Sequence, residues 1–336
     1  MAGPPPAVAE VRVAVRRALA DLRTTPGCLV LAACSGGADS LALAAALAFV
    51  APRIEIRAGL VTVDHGLQDG SAERAAGIAD WGKNQGLDPV EIATVEVGSE
   101  SGPEAAARTA RYGALEEAAT RLGASTVLLG HTRDDQAETV LLALARGSGL
   151  RGIAGMPFRR GIYQRPFLDL PREVVRQACV DLGHQPWEDP HNSDPAYSRA
   201  RVRALLPTLR AELGEGVVGN LARTARLAAA DEAVLSGLAG RALARAAADG
   251  GLDVAKLAAY PAAIRTRVLH RWALSLGCSG SALSARHVDA LDALVTSWSG
   301  QGAAALPGAV QVRRTEGRLV ADQVSRGSTP AATDPD

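Results

Sequence analysis

The sequence predicts an α/β protein: a parallel sheet with helices on both faces, followed by a mainly α-helical C-terminal domain. Three observations carry this. Apolar or β-branched runs of strand length alternate with helical patterns through the first half of the chain. A glycine-rich turn, Ser35-Gly36-Gly37-Ala38-Asp39-Ser40, separates the first such run from the helix after it. From Arg201 onward the chain becomes Ala-rich and helical, ending in a short apolar stretch with turn signals.

Residues 1–24 read as a Pro-rich start into an amphipathic helix without a secretory h-region. Cys28–Ala33 is a buried strand, and Leu41 onward is helical. Ile54–Asp64 is a second strand ending at Asp64-His65-Gly66, and Ser71–Gln85 a helix. Pro89–Val97 is a third strand, and Pro103 opens a helix that ends near Gly123. Ser125–Leu129 delivers Gly130-His131-Thr132 to a loop, and Arg133–Arg146 is a helix closed by Gly147. Ile162–Leu170 is a shorter extended segment, and Pro171 starts a helix to Leu182. Trp187–Pro207 is polar and loop-like until its last third. Helices follow to about Asp249, over Leu257–Leu276 and over Ser284–Trp298. Ala304–Val320 reads as a hairpin, and Ser325–Asp336 as a disordered tail. The domain boundary is placed near Ala200, giving 1–200, 201–324 and a tail 325–336.

The 336 residues are enough for one large or two ordinary domains. Lys plus Arg and Asp plus Glu number 36 each, so no general attraction to nucleic acid follows from net charge. Locally, Ala196–Arg245 holds eight Arg against four acids, which suits either a phosphate backbone or a solvated helix face. Four widely spaced cysteines without a CxxC exclude a disulfide scaffold, and six histidines show no zinc spacing. With no apolar run long enough to span a membrane, a cytoplasmic protein is expected.

The glycine-rich turn carries the first chemistry. Gly36 and Gly37 let the backbone approach a ligand closely, and the helix N-terminus after them presents free N–H groups to an anion, most naturally phosphate. The turn lacks the lysine of the GxxxxGK[ST] loop. In a parallel sheet ligands bind beyond the strand C-termini, so Asp39, Asp64-His65 and His131 are expected around one cleft. The second chemistry-bearing stretch is Gly130–Gly149. Asp134, Asp135 and Glu138 stand at helical spacing beside a strand-end His. Helix capping accounts for one or two of these acids. The full cluster could hold a cationic substrate or Mg2+, or take a proton from an amine.

SGGADS (35–40), VDHGLQDGSAE (63–73), ARTARY (107–112), GHTRDDQAETVLLALARGSGLRGIAGM (130–156), RPFLDLPR (165–172) and WEDPHNSDPAYSRARVRALLP (187–207) occur in that order. The first resembles the pyrophosphate-binding loop of the N-type ATP pyrophosphatases. Together they resemble the tRNA(Ile)-lysidine synthase family over about Cys28–Pro207. The resemblance implies a Rossmann-like PP-loop ATPase domain and a tRNA-binding helical C-terminal domain. It implies ATP as co-substrate and Mg2+ as cofactor. It implies that lysine is joined to the wobble cytidine of a CAU-anticodon tRNA(Ile) through an adenylated intermediate, which would switch the tRNA from Met to Ile identity. It is also compatible with a homodimer.

The resemblance further implies residue roles. Ser35, Gly36, Gly37, Ala38 and Ser40 would cradle pyrophosphate, with Asp39 holding Mg2+. Val63, Asp64 and His65 would lie against adenine and ribose. Arg111 would sit near the α-phosphate and His131 at the nucleotide. Asp135 and Glu138 would form the lysine site, Asp135 also acting in catalysis. Asp189 and Asn192 would fix a closing loop, and Arg199 and Arg203 would reach phosphate of ATP or RNA. Gln68, Thr132 and Ala200 depart from the family pattern, which has Arg, His and Asn there. A thiolating PP-loop enzyme would need paired cysteines that this chain lacks. GMP or NAD synthetase would need a different substrate half. A non-catalytic ATP-binding regulator would be expected to lose Asp39 or the acids at 134–138, all of which are present.

Overall fold

The computed structural model describes residues 3–24, 27–66, 68, 70–95, 103–189, 194–248, 250–280 and 282–323. The expected tail at 325–336 and Asn192 lie outside them. The chain forms two compact units that part between Ala229 and Ala230.

In the first unit, strands β1 (Leu29–Ala33), β2 (Arg57–Asp64), β3 (Val90–Thr94), β4 (Ala124–Leu128), β5 (Arg159–Arg160) and β6 (Tyr163–Gln164) form one sheet in the order β3-β2-β1-β4-β6-β5. All neighbours are parallel except β5 and β6. Side chains alternate across β1 as the pleat requires. Val30 and Ala32 face α1 (Pro6–Ala18), α2 (Ala38–Val50) and α7 (Arg172–Asp181), packing with Val11, Val15, Leu43, Leu47 and Val175. Leu29 and Leu31 face the other way, onto Leu115 and Ala119 of α4 (Pro103–Leu122). Helix α3 (Ser71–Asn84) lies on the first face through Ile78 and Trp81. Ten of the thirteen α2 residues are buried, and its alanines let α1, α7 and β1 approach it together.

The strand order reverses between β1 and β4, and such a reversal opens a crevice beyond the strand ends. Two helices start there: α2 after β1, and α5 (Arg133–Ala145) after β4. They meet closely, for a Cβ on Gly130 would lie 3.0 Å from the Asp39 carbonyl oxygen. Helix α6 (Gly149–Ile153) and the β5–β6 hairpin follow α5, where the sequence pattern predicts only an extended segment over Ile162–Leu170. Helix α8 (Ser198–Leu213) packs Leu206 against Ala137 and against Val218 of α9 (Val217–Ala246). The division between units therefore falls inside α9, beyond the boundary expected near Ala200, because α8 is apolar toward α5.

The second unit is built on Val268, Leu269 and Trp272 of α11 (Ala262–Ser275) and Leu291 and Leu294 of α12 (Ala285–Thr296). These cover β7 (Ala247–Ala248), β8 (Gly251–Asp253), β9 (Ala304–Leu306), β10 (Val310–Thr315) and β11 (Arg318–Gln323), an antiparallel sheet in the order β7-β8-β11-β10-β9. The segment expected as a hairpin, Ala304–Val320, thus holds three strands, β9, β10 and the start of β11, and the short β7–β8 pair joins the sheet through β11. Helix α10 (Val254–Ala258) is separate from α11, since Pro261 forms the N-cap of the next helix. Among the described residues no helix is long and apolar enough to cross a membrane.

Two glycines test this packing in opposite directions. At Gly59 in β2 a Cβ would lie 2.6 Å from the Pro89 carbonyl oxygen and 2.7 Å from Leu31 Cδ2. Gly59→Ala is expected to destabilise by about 1–3 kcal/mol through overpacking. Gly77 on the exposed side of α3 has open space around it. Gly77→Ala is expected to stabilise by about 0.5–1 kcal/mol. Denaturant unfolding of both variants checks the pair.

Candidate active site

The loop after β1 is shaped from within. Gly36 is buried with φ 82°, and a Cβ there would strike Ile78 at 2.9 Å. The Ser40 hydroxyl accepts from the Ser35 N–H (3.1 Å) and donates to the Gly37 carbonyl (2.9 Å), so it closes the turn. No side chain caps α2 at Gly37, leaving its N-terminal dipole available to an anion. Asp39, in the first turn of α2, has its Oδ1 buried without a hydrogen-bond partner. Burial, and then the Asp135 carboxylate, raise its pKa to about 6, against the pull of Arg172, Arg176 and Arg203.

The tip of β2 faces the same opening. Asp64 accepts the Gly66 N–H at 3.0 Å, which lowers its pKa. Val63 packs into the core on the α4 face. His65 is half-buried and held neutral, first by burial and then by the field of Arg111. A strap reaches the loop from α7. The Trp187 N–H donates to the Gly36 carbonyl at 3.0 Å. Gln68 donates to Asp189 (3.1 Å) and accepts from Arg74 (3.1 Å), while the Arg74 guanidinium lies 4.5 Å over the Trp187 ring. Gln68, where the resemblance leads one to expect Arg, therefore clasps this strap through its amide.

The acids at the start of α5 divide by role. Asp135 closes a capping box with Thr132, accepting from its N–H (2.7 Å) and its hydroxyl (2.8 Å). Thr132 thus serves as the N-cap, a role its hydroxyl suits. Asp134 faces away, accepting from the Arg172 N–H (2.8 Å) and the Arg210 guanidinium (3.0 Å). Glu138 is fully buried. It accepts from Arg172 (3.0 Å) and Arg203 (2.9 Å), with Arg199 Nε at 3.4 Å. Arg172 also holds Asp135 at 2.8 Å. Burial pushes Asp135 up, but Arg172, the Thr132 N–H and Arg199 outweigh it and keep it ionised. Burial pulls Arg172 down, but Asp135 and Glu138 outweigh it and bind its proton more tightly. Arg199 and Arg203, expected at phosphate, are therefore engaged with Glu138, and Arg203 reaches toward Asp39 through its field.

His131 has a buried Nδ1 without a partner, and burial holds the ring neutral, aided by Arg111, Arg165 and Arg199. Arg111 lies 5.6 Å over the Tyr112 ring, and Tyr112 is edge-on to Tyr163. Burial and the like charges of Arg108 and Arg199 work against its proton, which Tyr112 favours. A shielded guanidinium near two neutral imidazoles and further arginines makes a strongly anion-seeking corner. The structure thus gathers Asp39, His65, Arg111, His131, Asp135, Glu138, Arg199 and Arg203 around the β1–β4 crevice, in the first unit alone. Ala200, where the resemblance leads one to expect Asn, is buried on α8. Sequence reasoning gave no role to Arg172, Arg74 or Gln136. Arg172 lay within a quoted block, but its partners come from a helix 34 and 37 residues away.

Two family models match the chain: one described as a PP-loop domain over residues 11–209, and one described as a TilS substrate binding domain over 252–320. The tRNA(Ile)-lysidine synthase of Salinispora tropica is 61% identical over 328 residues, covering 96% of this chain and 98% of that protein. That of Thermobifida fusca is 58% identical, with coverage of 95% and 99%, and that of Streptomyces coelicolor 53%, with 96% and 99%. The chain belongs to the tRNA(Ile)-lysidine synthase family. Among solved structures, the U34-tRNA thiolase NcsA from Methanococcus maripaludis with its [4Fe-4S] cluster matches with a TM-score of 0.56 and 18% identity. The match covers 66% of this chain and 78% of that one, and it is a likeness of fold. Membership makes this an ATP-using ligase of the PP-loop class, and the thiolation alternative is not favoured.

Asp39 gives this family member a pH-dependent stability. Its folded pKa of about 6 lies above the ordinary 3.8, so the folded protein binds the extra proton between those values. Stability from this group is present at low pH and is lost as pH rises through about 6. Asp39→Asn is expected to melt higher than the parent at pH 8, with the gap closing as pH falls below 6. A melting series from pH 4 to pH 8 checks the sign. Glu138→Gln leaves three guanidinia around a neutral amide and is expected to destabilise by about 3–5 kcal/mol, measured by denaturant unfolding.

Proposed function

We propose that the chain joins free lysine to C2 of the wobble cytidine of CAU-anticodon tRNA(Ile), using ATP and releasing pyrophosphate and AMP. The observation carrying this reading is one crevice with an uncapped anion-binding helix start on one side and a buried acid–arginine cluster on the other. The first suits a nucleotide phosphate and the second an amine-bearing substrate.

In the first step cytosine O2 attacks the α-phosphorus and pyrophosphate leaves. The turn at Ser35–Ser40 and the N-terminus of α2 hold the departing phosphates. Arg111 balances the charge on the α-phosphate, in an environment where burial strengthens that interaction. Val63, Asp64 and His65 border the adenosine, and neutral His131 contributes a hydrogen-bonding ring without adding charge. Among the described residues no group of three acids, histidines or cysteines is placed to hold a metal. Mg2+ bound mainly through substrate phosphates needs only one or two carboxylates, and the orphaned Oδ1 of Asp39 supplies one. When bound there, Mg2+ offsets phosphate charge.

In the second step the lysine ε-amine attacks C2 and AMP leaves. A lysine ammonium has a pKa of about 10.4, so it must lose a proton before attacking. Asp135 and Glu138 attract the ammonium and offer a route for that proton. Both are paired to arginines in the free protein, so lysine must compete with Arg199 and Arg203 for them. Nucleotide phosphate drawn toward those arginines frees the carboxylates for the amine. The cytoplasm supplies ATP, lysine and tRNA together.

The reading is tested by incubating the protein with ATP, Mg2+, radiolabelled lysine and a CAU-anticodon tRNA(Ile) transcript. Mass spectrometry is expected to show one lysine added, less water, and Asp39→Ala to abolish it. No lysine-sized addition by the parent protein sinks the reading. Asp135→Asn is expected to raise KM for lysine by about tenfold or more while KM for ATP changes little, as for removal of one charge-assisted hydrogen bond. Equal rises in both would remove the lysine assignment from Asp135.

A further inference from the structure

Between Thr139 and Leu168 the chain contains Arg146, Arg151, Arg159, Arg160 and Arg165 and no Asp or Glu. In a protein whose charges balance overall, this is a concentrated positive segment. Its later part folds into an arm, the β5–β6 hairpin, added to the sheet beside β4. Strand β6 runs parallel to β4, and β5 returns antiparallel with Arg159 opposite Gln164. Phe158, one residue before β5, therefore lies at the same end of the sheet as the C-terminal end of β4, which leads to His131. Its carbonyl accepts from the Arg165 N–H at 2.9 Å, and Arg165 in turn bears on His131.

The arm is mounted rigidly on the helix that carries the acids. Gln136, next to Asp135, donates to the Met156 carbonyl (2.9 Å) and accepts from the Met156 N–H (2.8 Å). Gly155 has φ 63°, and a Cβ there would lie 2.6 Å from Gln136 Oε1. Arg165 is buried and ties the Pro157 carbonyl at 2.8 Å. Yet Phe158 itself is 45% exposed, and Arg146, Arg151, Arg159 and Arg160 are all exposed. Phe158 is thus a large apolar ring half in water on a rigid mount, followed in the chain by the exposed Arg159 and Arg160.

We infer that this arm is the docking surface for the single-stranded loop of the RNA substrate, with a base stacked on Phe158 and phosphates held by Arg159 and Arg160. Unpaired bases are held by aromatic stacking together with basic side chains along the backbone. The absence of any acid in the segment favours a polyanion over an apolar protein partner. The inference rests on the proposed reaction, which requires a loop nucleotide to reach the crevice. It adds the surface that presents that nucleotide.

Full-length Phe158→Ala, Phe158→Trp and the double variant Arg159→Ala/Arg160→Ala test it, with binding to an anticodon stem-loop RNA measured across a salt series beside steady-state kinetics. The double variant is expected to flatten the log–log salt dependence by about 0.7 for each phosphate it no longer neutralises. Phe158→Ala is expected to weaken stem-loop binding by about fivefold or more with the salt slope intact, and Phe158→Trp to restore it. KM for tRNA follows the binding, while KM for ATP and for lysine stay near the parent values. Melting temperatures near the parent value are expected, since the replaced side chains are exposed; a variant that melts early is replaced by Arg159→Gln/Arg160→Gln or Phe158→Leu. Unchanged RNA affinity and salt slope in all variants overturn the docking surface. A parent protein that binds the stem-loop through this arm but adds no lysine sinks the proposed reaction and leaves the surface standing.

Discussion

Everything around the crevice depends on one buried carboxylate. Glu138 is fully removed from water, and a charge so placed is tolerable only if paired and hydrogen-bonded. Its partners come from two other helices, Arg172 from α7 and Arg199 and Arg203 from α8. The need to neutralise that one side chain fixes three helices relative to each other. The same arginines then reach further: Arg172 holds Asp135, and Arg172 and Arg203 both act on Asp39 across the opening. The pairing is weak evidence for stability as such, since a buried ion pair often does no better than apolar packing. Its effect here is geometric, a set of charges whose positions are mutually determined.

The two helix starts in the crevice differ in how their dipoles are satisfied. Helix α5 is filled by its own side chains, through the capping box of Thr132 and Asp135. Helix α2 has no side-chain cap, and its turn is closed by the Ser40 hydroxyl. One dipole is spent on folding and the other is left for a ligand. Gly130 lets the two approach, because any larger residue there would push on the backbone at Asp39.

The sheet was legible because its strands are nearly continuous apolar runs separated by helices, a pattern that parallel sheets produce and few other arrangements do. The loop from Ser35 to Ser40 was legible for the same local reason, a strand and a helix on either side of paired glycines. The partners of the acids were not. Asp134, Asp135 and Glu138 looked like an open cluster along the sequence, but their guanidinia sit 34 to 76 residues away. Nothing periodic marks such pairs. Arg199 and Arg203 stood out as candidates for phosphate, which is right about their charge and silent about Glu138. The β5–β6 hairpin was missed because two-residue strands leave no alternation to read. The boundary near Ala200 followed a change in composition, whereas burial of Leu206 ties α8 to the first unit.

Charge balance decides what the crevice can take. Above pH 6 Asp39, Asp135 and Glu138 bring three negative charges, and Arg111, Arg172, Arg199 and Arg203 bring four positive ones. The free site is therefore already cationic, with its imidazoles held neutral at His65 and His131. An amine arriving alone meets carboxylates that are in use and guanidinia that repel it. A polyphosphate arriving alone meets the surplus directly. Under the proposed reaction this makes the nucleotide the natural first occupant, because only an anion can draw the partly exposed Arg199 and Arg203 outward and leave acid for an ammonium. Asp39 sharpens the asymmetry. It remains half-protonated near pH 6 because burial and the facing Asp135 both disfavour its charge, and its buried Oδ1 has no hydrogen-bond partner.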